Sequence, residues 1–290
     1  MAVPSSSPPD RVPRGTVTAD LNFYAPPADK TARPFNYVEQ PPAGIPQRNY
    51  SDETHATPIH DIRGHESAFS LDQDAFQVIT GVAPSAESSF ADDASIRAKY
   101  YPEVEQLLLR HVPGSRKVHL FDHTIRRAAD PGAPRTPVTR VHIDQTAASV
   151  EKRVRRYFAD DEAEALLRGR YRLVNVWRPL NRGPVESFPL SFASTSTLDD
   201  ADVVPIEHRY PDGYTGETAA VKHNPRQKWY YLSGMTGSER LLLECFDSAS
   251  LAPGSRVGGR VPHTAFVDPR TRPDAEPRES IEVRALVFGP

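Results

Sequence analysis

Pro137-Val138-Thr139-Arg140-Val141-His142-Ile143-Asp144 runs directly into Gln145-Thr146 and the stretch 146–158, and the reading of these residues decides the fold. β-Branched residues at strand spacing lead up to His142, whereas Ala147, Val150, Val154 and Phe158 recur on one side of a helix. On a strand, side chains at i and i+2 share a face, so His142 and Asp144 point the same way while Ile143 packs behind them. A strand that ends on two metal-binding side chains, beside a new element, is a sensible mouth for a site. The triplet itself is common: a chain with ten histidines meets His-x-Asp by chance roughly once. A surface histidine next to a helix-capping aspartate explains it equally well, so its surroundings have to decide.

Those surroundings are mostly β. A helix is expected over residues 93–110, with Ile96, Tyr100, Val104, Leu107 and Leu108 as its apolar stripe. After it, residues 116–124 alternate as a strand, and beyond a helical interlude ending near Leu167 come short strand-like runs at 171–177, 190–195, 201–206, 218–223, 228–232, 240–246, 261–267 and 281–288. Many short strands separated by Pro, Gly, Asn and Asp turns indicate a sandwich or barrel, with the helices gathered before or between the early strands. The expected fold is mainly β with flanking helices, built on a double-stranded β-helix, or jelly-roll, core. In such a core the first ligand pair comes early, the last ligand arrives on a penultimate strand and an arginine follows on the final one. Here His263 precedes Arg278 and Arg284, which sit at the entrance to the last strand and inside it.

The chemistry follows from residue types. Two neutral imidazoles and a carboxylate, His142, His263 and Asp144, hold one face of an octahedral Fe(II) and leave the opposite positions for a chelating co-substrate and dioxygen. Zinc accepts the same ligands with a water. What favours iron is Arg278, whose planar fork grips a carboxylate such as the far end of 2-oxoglutarate, with Ser280 on the same face as a hydroxyl donor. Arg284 shares that face and competes for the clamp or for substrate, and a surface ion pair of Arg278 with Glu279 or Glu282 is the rival explanation. Asn175, Trp177 and Arg178, in Asn175-Val176-Trp177-Arg178-Pro179, are candidate substrate contacts or a structural corner. Trp229 and Tyr231 either line a hydrophobic pocket or belong to the core. His119 and His123 read as satisfied core histidines. The five-residue spacing of His55, His60 and His65 fits neither a helix face nor a strand face, which argues against a metal cluster there.

Composition narrows the field. The 290 residues suffice for a full core. The 29 prolines, dense in the first fifty residues, mark loops and arms. Residues 1–50 are expected as a Pro-rich arm, lying on the body or on a neighbouring subunit in a homodimer, and 51–290 as a single jelly-roll domain with helical insertions. A net charge of −3, with mixed signs, argues for neither nucleic acid nor membrane. One cysteine, Cys245, forbids an internal disulfide and a Cys-based zinc knuckle. With no apolar segment in Met1 to Gly15 and no span-length run, the expected compartment is the cytoplasm.

Taken in order, Phe121-Asp122-His123-Thr124, His142-Ile143-Asp144-Gln145-Thr146, Asn175-Val176-Trp177-Arg178-Pro179, Trp229-Tyr230-Tyr231, Cys245-Phe246-Asp247-Ser248, Pro262-His263-Thr264-Ala265-Phe266 and residues 278–284 form a recognisable series. The chain resembles the gibberellin-desaturase-like and cephamycin-methoxylase-like oxygenases, a family widespread in fungal secondary metabolism, over about residues 55–288. The resemblance implies a jelly-roll Fe(II)/2-oxoglutarate enzyme that uses dioxygen on small natural products, by hydroxylation, desaturation, ring formation or endoperoxidation. It carries the iron roles onto His142, Asp144 and His263, and the co-substrate role onto Arg278. Glu244 departs from the family, which leads one to expect a basic residue there. The alternatives are a divalent-metal (zinc) hydrolase on the same core and a non-catalytic jelly-roll binding protein.

Overall fold

The computed structural model describes residues 12–128 and 136–289. Among these, fourteen strands follow in chain order. They are β1 (Val17–Ala25), β2 (Phe35–Tyr37), β3 (Ser51–Asp61), β4 (Phe76–Ile79), β5 (Lys117–Arg127), β6 (His142–Ile143) and β7 (Arg170–Pro179), then β8 (Leu190–Ala193), β9 (Val203–Arg209), β10 (Thr215–Val221), β11 (Trp229–Tyr231), β12 (Arg240–Asp247), β13 (His263–Ala265) and β14 (Glu279–Gly289). They make a nine-stranded sheet, β1-β3-β11-β8-β13-β6-β10-β9-β2, facing a five-stranded sheet, β4-β12-β7-β14-β5. The mainly β jelly-roll reading holds.

Alternation along the strands builds two layers of core. Leu173, Phe246, Leu286 and Phe288 from the small sheet and Ile143, Ala219, Val221 and Trp229 from the large one belong to one continuous apolar core. The intervening residues, Val174, Val176, Leu242, Ile281, Val283, Ala285 and Val287, face outward and are covered by a helical run. That run begins at Asp93, passes through a wide turn at Ile96–Tyr100 and continues over Tyr101–His111. Ile96, Tyr100, Val104 and Leu108 are buried as the stripe requires, while Leu107 is half-buried.

The stretch that opens the sequence behaves differently from a simple strand. Of residues 137–144, only His142 and Ile143 pair regularly. Upstream the backbone changes partner repeatedly, because Pro137 has no N–H to donate and several elements converge here. The Val138 carbonyl accepts from Ala265 N–H, the Val141 N–H donates to Asn22, and Arg140 bridges Asn22 on β1. The nine-stranded sheet is therefore curled, its β1 edge reaching back to the segment that enters β6. The helix that follows is Ala147–Tyr157, capped by the Thr146 side chain on Ser149 N–H at 3.3 Å. Val150 and Val154 are buried, but Ala147 is exposed and Ser149 takes the buried place expected of it.

Within the Pro-rich segment, Val17–Ala25 is a regular strand of the body, paired antiparallel with β3 and burying Val17, Ala19, Leu21 and Phe23. No helix among the described residues is long and apolar enough to cross a membrane.

Candidate metal centre

β6 and β13 are adjacent and antiparallel, and the pair in register between them is His142 with His263. Their rings lie 4.4 Å apart between centroids. Asp144, two residues past His142, turns back to the same face, so that one donor atom from each of the three residues lies within 4.8 Å of the others. Neighbouring β10 presents Ala220 and Ala219 opposite His142 and Ile143, small side chains that leave the face open.

The hydrogen bonds orient each donor. His142 Nδ1 meets the Arg140 carbonyl at 2.8 Å, and His263 Nδ1 meets the Val261 carbonyl at 3.1 Å. A carbonyl only accepts, so in both rings Nδ1 carries the proton and Nε2 keeps its lone pair for a metal. His142 Nε2 is 3.4 Å from Asp144 Oδ1. From the facing sheet, Asn175 Nδ2 donates to Asp144 Oδ2 at 2.6 Å and Arg284 Nε lies 3.6 Å from the same oxygen. Protonation suits the task. Burial and the neighbouring His142 push His263 down to about 4, which keeps it neutral. Burial alone would raise Asp144, but the neighbouring His142 and the Arg284 guanidinium outweigh it and hold the carboxyl well below its usual range. Two neutral imidazoles and an ionised carboxylate are the donor set that Fe(II) takes, and the residues fit that ion.

The remaining predicted residues divide. Trp177, Arg278 and Glu282 line a cavity of about 30 Å³ together with His142, Asp144 and His263. Arg278 is 2 % exposed, with its guanidinium 5.7 Å from the Trp177 ring. Its Nη1 donates to the Phe188 carbonyl at 2.7 Å and its Nε finds no acceptor. Phe188 has φ 47°, a left-handed conformation costly for a bulky residue, so this carbonyl is held where Arg278 needs it. Burial, with Arg126 nearby, pushes Arg278 down to about 9. Arg284 is already committed to carboxylates, Asp122 at 3.1 Å and Glu282 at 3.1 Å. Ser280 is buried beside Arg278 on β14.

Arg178, Trp229 and Tyr231 lie elsewhere. Arg178 follows Trp177 and so faces the outer side of the small sheet, over the rings of Phe90 and Tyr100 at 4.9 and 5.5 Å. Trp229 packs edge-on against Phe23 in the core. Tyr231 gives its hydroxyl to the Gly15 carbonyl at 2.8 Å and takes one from Arg270 at 2.9 Å. Sequence reasoning missed a second cavity, of about 210 Å³, which shares Arg126, Val138, His142 and Asp144 with the first and adds Tyr50, Arg140, His208 and Thr218. His208 and Thr218, held together at 2.9 Å, sit on strands β9 and β10, whose alternation could have pointed to them, but no motif marks them.

A family model described as "Oxidoreductase/YMDC permease-like domain" matches residues 21–288. The hydroxylase/desaturase poxK of Penicillium oxalicum is 36 % identical over 301 residues, covering 95 % of this chain and 92 % of its own. The Fe(II)/2-oxoglutarate-dependent dioxygenase nvfI of Aspergillus novofumigatus is 31 % identical over 275 residues, covering 93 % and 96 %. The chain belongs to the fungal Fe(II)/2-oxoglutarate-dependent dioxygenases. A solved structure of the iron and α-ketoglutarate-dependent endoperoxidase NvfI superposes with a TM-score of 0.84 at 30 % identity, over 96 % of this chain and 99 % of that one. As a member of this family the chain is an oxidoreductase that uses Fe(II), 2-oxoglutarate and dioxygen. These findings favour the dioxygenase reading over the zinc-hydrolase and non-catalytic ones.

Proposed function

We propose that His142, Asp144 and His263 hold Fe(II), that Arg278 grips the distal carboxylate of 2-oxoglutarate, and that the 210 Å³ cavity receives a small natural-product substrate. The observation that carries this reading is the in-register pair of histidines, each with Nδ1 tied to a carbonyl of its own strand and Asp144 fixed between the two sheets by Asn175. Bound here, Fe(II) with 2-oxoglutarate and dioxygen supplies oxidation of a substrate C–H bond, with release of succinate and carbon dioxide. The chain's own residues orient and exclude. Asn175 keeps one Asp144 oxygen occupied so that the other faces the metal. Arg278, buried without a carboxylate partner within ion-pair distance among the described residues, offers its remaining N–H donors to an incoming diacid, with Ser280 on the same strand side. Trp177 and Leu190 close this cavity against water, and its 30 Å³ means that side chains separate when the co-substrate enters.

The substrate is a small secondary metabolite, and His208, Thr218 and Tyr50 offer it hydrogen bonds beside His142 and Asp144. The shape of this cavity selects among hydroxylation, desaturation, ring formation and endoperoxidation. The ordered segments around His142, Trp177 and His263 support, under this reading, a likeness to the gibberellin-desaturase-like and cephamycin-methoxylase-like branch. Its partner is the substrate, with neither nucleic acid nor membrane involved. Comparison of fungal metabolite extracts with and without the protein identifies the compound consumed. The purified protein should then form succinate in step with loss of that compound, and His142→Ala should abolish both. Succinate formation unchanged in His142→Ala would overturn the metal assignment.

A further inference from the structure

On the outer side of the small sheet, away from the iron cavity, a pocket of about 540 Å³ lies between the Tyr101–His111 helix and the 79–84 loop. Its walls are apolar at Ile79, Val82, Val104 and Leu107; Tyr100 and Arg240 are its buried polar groups, with Glu103, Arg110 and His111 also on the lining. Arg240 is 2 % exposed. Its Nη1 donates to the carbonyls of Gly237 and Glu239 at 2.8 and 2.9 Å, and it makes no ion pair among the described residues. Arg178, a second guanidinium, shares the Tyr100 ring with it, Arg240 standing 6.0 Å and Arg178 5.5 Å from the centroid.

Neither cation ion-pairs with an acid among the described residues. Among the described residues, Arg178 Nε and Nη1 are buried and meet no acceptor at strict hydrogen-bonding geometry; the buried Tyr100 hydroxyl lies close to both guanidiniums, a neutral group that does not balance their charge. Glu103 is the carboxylate on the pocket wall, but its Oε1 accepts from Ala86 N–H at 2.7 Å and it ion-pairs with neither arginine. Stacking on Tyr100 and Phe90 offsets part of the desolvation of two adjacent guanidiniums, yet buried charges without a counter-charge are ordinarily avoided. An anion seated against them removes that deficit, and the apolar walls accept whatever the anion is attached to.

We propose that this pocket is a second ligand site, for a small amphipathic carboxylic acid whose carboxylate meets Arg240 beside Arg178 and whose apolar body lies along Val82, Val104 and Leu107. Trp177, a wall of the iron cavity, and Arg178, stacked behind the pocket on Tyr100, are consecutive on β7. The two sites are thus back to back across one sheet, and neither shares a lining residue with the other.

The test uses the full chain, anaerobic, with Fe(II) and saturating 2-oxoglutarate so that the active site's own carboxylate demand is met. Calorimetric titration with decanoate should show one site, with decanol at least tenfold weaker and inorganic phosphate not binding. Arg240→Met should weaken decanoate by about tenfold to a hundredfold, the loss expected of a charged hydrogen bond. Leu107→Trp, which fills the apolar end and leaves both arginines, should weaken it similarly. The 2-oxoglutarate charge-transfer band, unchanged in both variants, shows that they are folded and that the active site is intact. Decanol binding as tightly as decanoate, phosphate binding alone, or decanoate affinity unchanged in the two folded variants would each overturn the proposal.

Discussion

Replacing Arg278 by methionine isolates the co-substrate clamp. Methionine keeps much of the apolar volume against Trp177 and deletes the charge. Breaking a buried charge pair by removing one partner costs about 3–5 kcal/mol, and each 1.4 kcal/mol is a factor of ten. One Arg278 nitrogen is already engaged by the Phe188 carbonyl at 2.7 Å, so part of the fork is unavailable to the diacid. The lower part of that range applies, and the KM for 2-oxoglutarate should rise by about a hundredfold to a thousandfold. Stability should behave oppositely. Burial already disfavours the Arg278 charge, and the side chain makes no ion pair with a carboxylate, so the thermal midpoint of the metal-free variant should hold or rise. Succinate formation measured against 2-oxoglutarate concentration, beside a melting curve, reads both. A folded Arg278→Met protein with a KM within threefold of the parent would refute the reasoning and direct attention to Arg284. Arg284→Met, by contrast, strands Asp122 and the buried Glu282 and should lower the midpoint.

Asn175→Leu removes the 2.6 Å hydrogen bond to Asp144 and should weaken Fe(II) by about tenfold to a hundredfold, read by competition with a chelator; equal affinity would detach Asn175 from the centre. His208→Leu should raise the substrate KM by roughly twofold to tenfold while leaving the 2-oxoglutarate charge-transfer band in place, and an unaltered substrate KM would put the substrate elsewhere. Glu244 is fully buried on β12, and burial followed by the Asp247 charge raises its carboxyl well above 4.5. The folded protein therefore keeps a proton that the unfolded chain releases. The stability contributed by this group is complete below 4.5 and is lost as pH rises toward the folded value. Glu244→Gln should thus unfold at higher denaturant than the parent at pH 8, with the gap closing toward pH 4.5; a gap independent of pH would remove the explanation. Trp229→Leu should cost about 2–4 kcal/mol of stability with no change in the 2-oxoglutarate KM, since the ring packs on Phe23 and not on the site.

The sequence and the structure agree where a pattern is local. The alternation of β14 and the stripe of the Tyr101–His111 helix survive almost unaltered, because a period of two or of 3.6 is written into neighbouring residues. The His142-x-Asp144 pair also survives, since a shared strand face needs only i and i+2. What could not be read was pairing. That His142 stands opposite His263, and that Asn175 crosses from the other sheet to Asp144, depends on strand order over more than a hundred residues. For the same reason Trp229 and Tyr231 were ambiguous: an aromatic strand looks alike whether it faces a cavity or a core. Arg178 went the other way. Grouped with Asn175 and Trp177 as a candidate substrate contact, it lies on the other face of β7, as alternation from Trp177 requires.

β14 follows every other described strand in the chain, yet it lies inside the small sheet, hydrogen-bonded to β5 on one side and β7 on the other. The order of synthesis is therefore the reverse of the order of need. Until residues 279–289 are made, β5 and β7 each present an open edge, the kind of surface that recruits other chains. The same strand brings Glu282 and Arg284 under Asp144 and is entered through Arg278. A ribosome that stops short of it leaves a protein with both histidines and the aspartate in its sequence but without Glu282 and Arg284 beside Asp144, and with two adhesive edges. Quality control of this enzyme, and any truncation or insertion made within residues 279–289, turns on that strand.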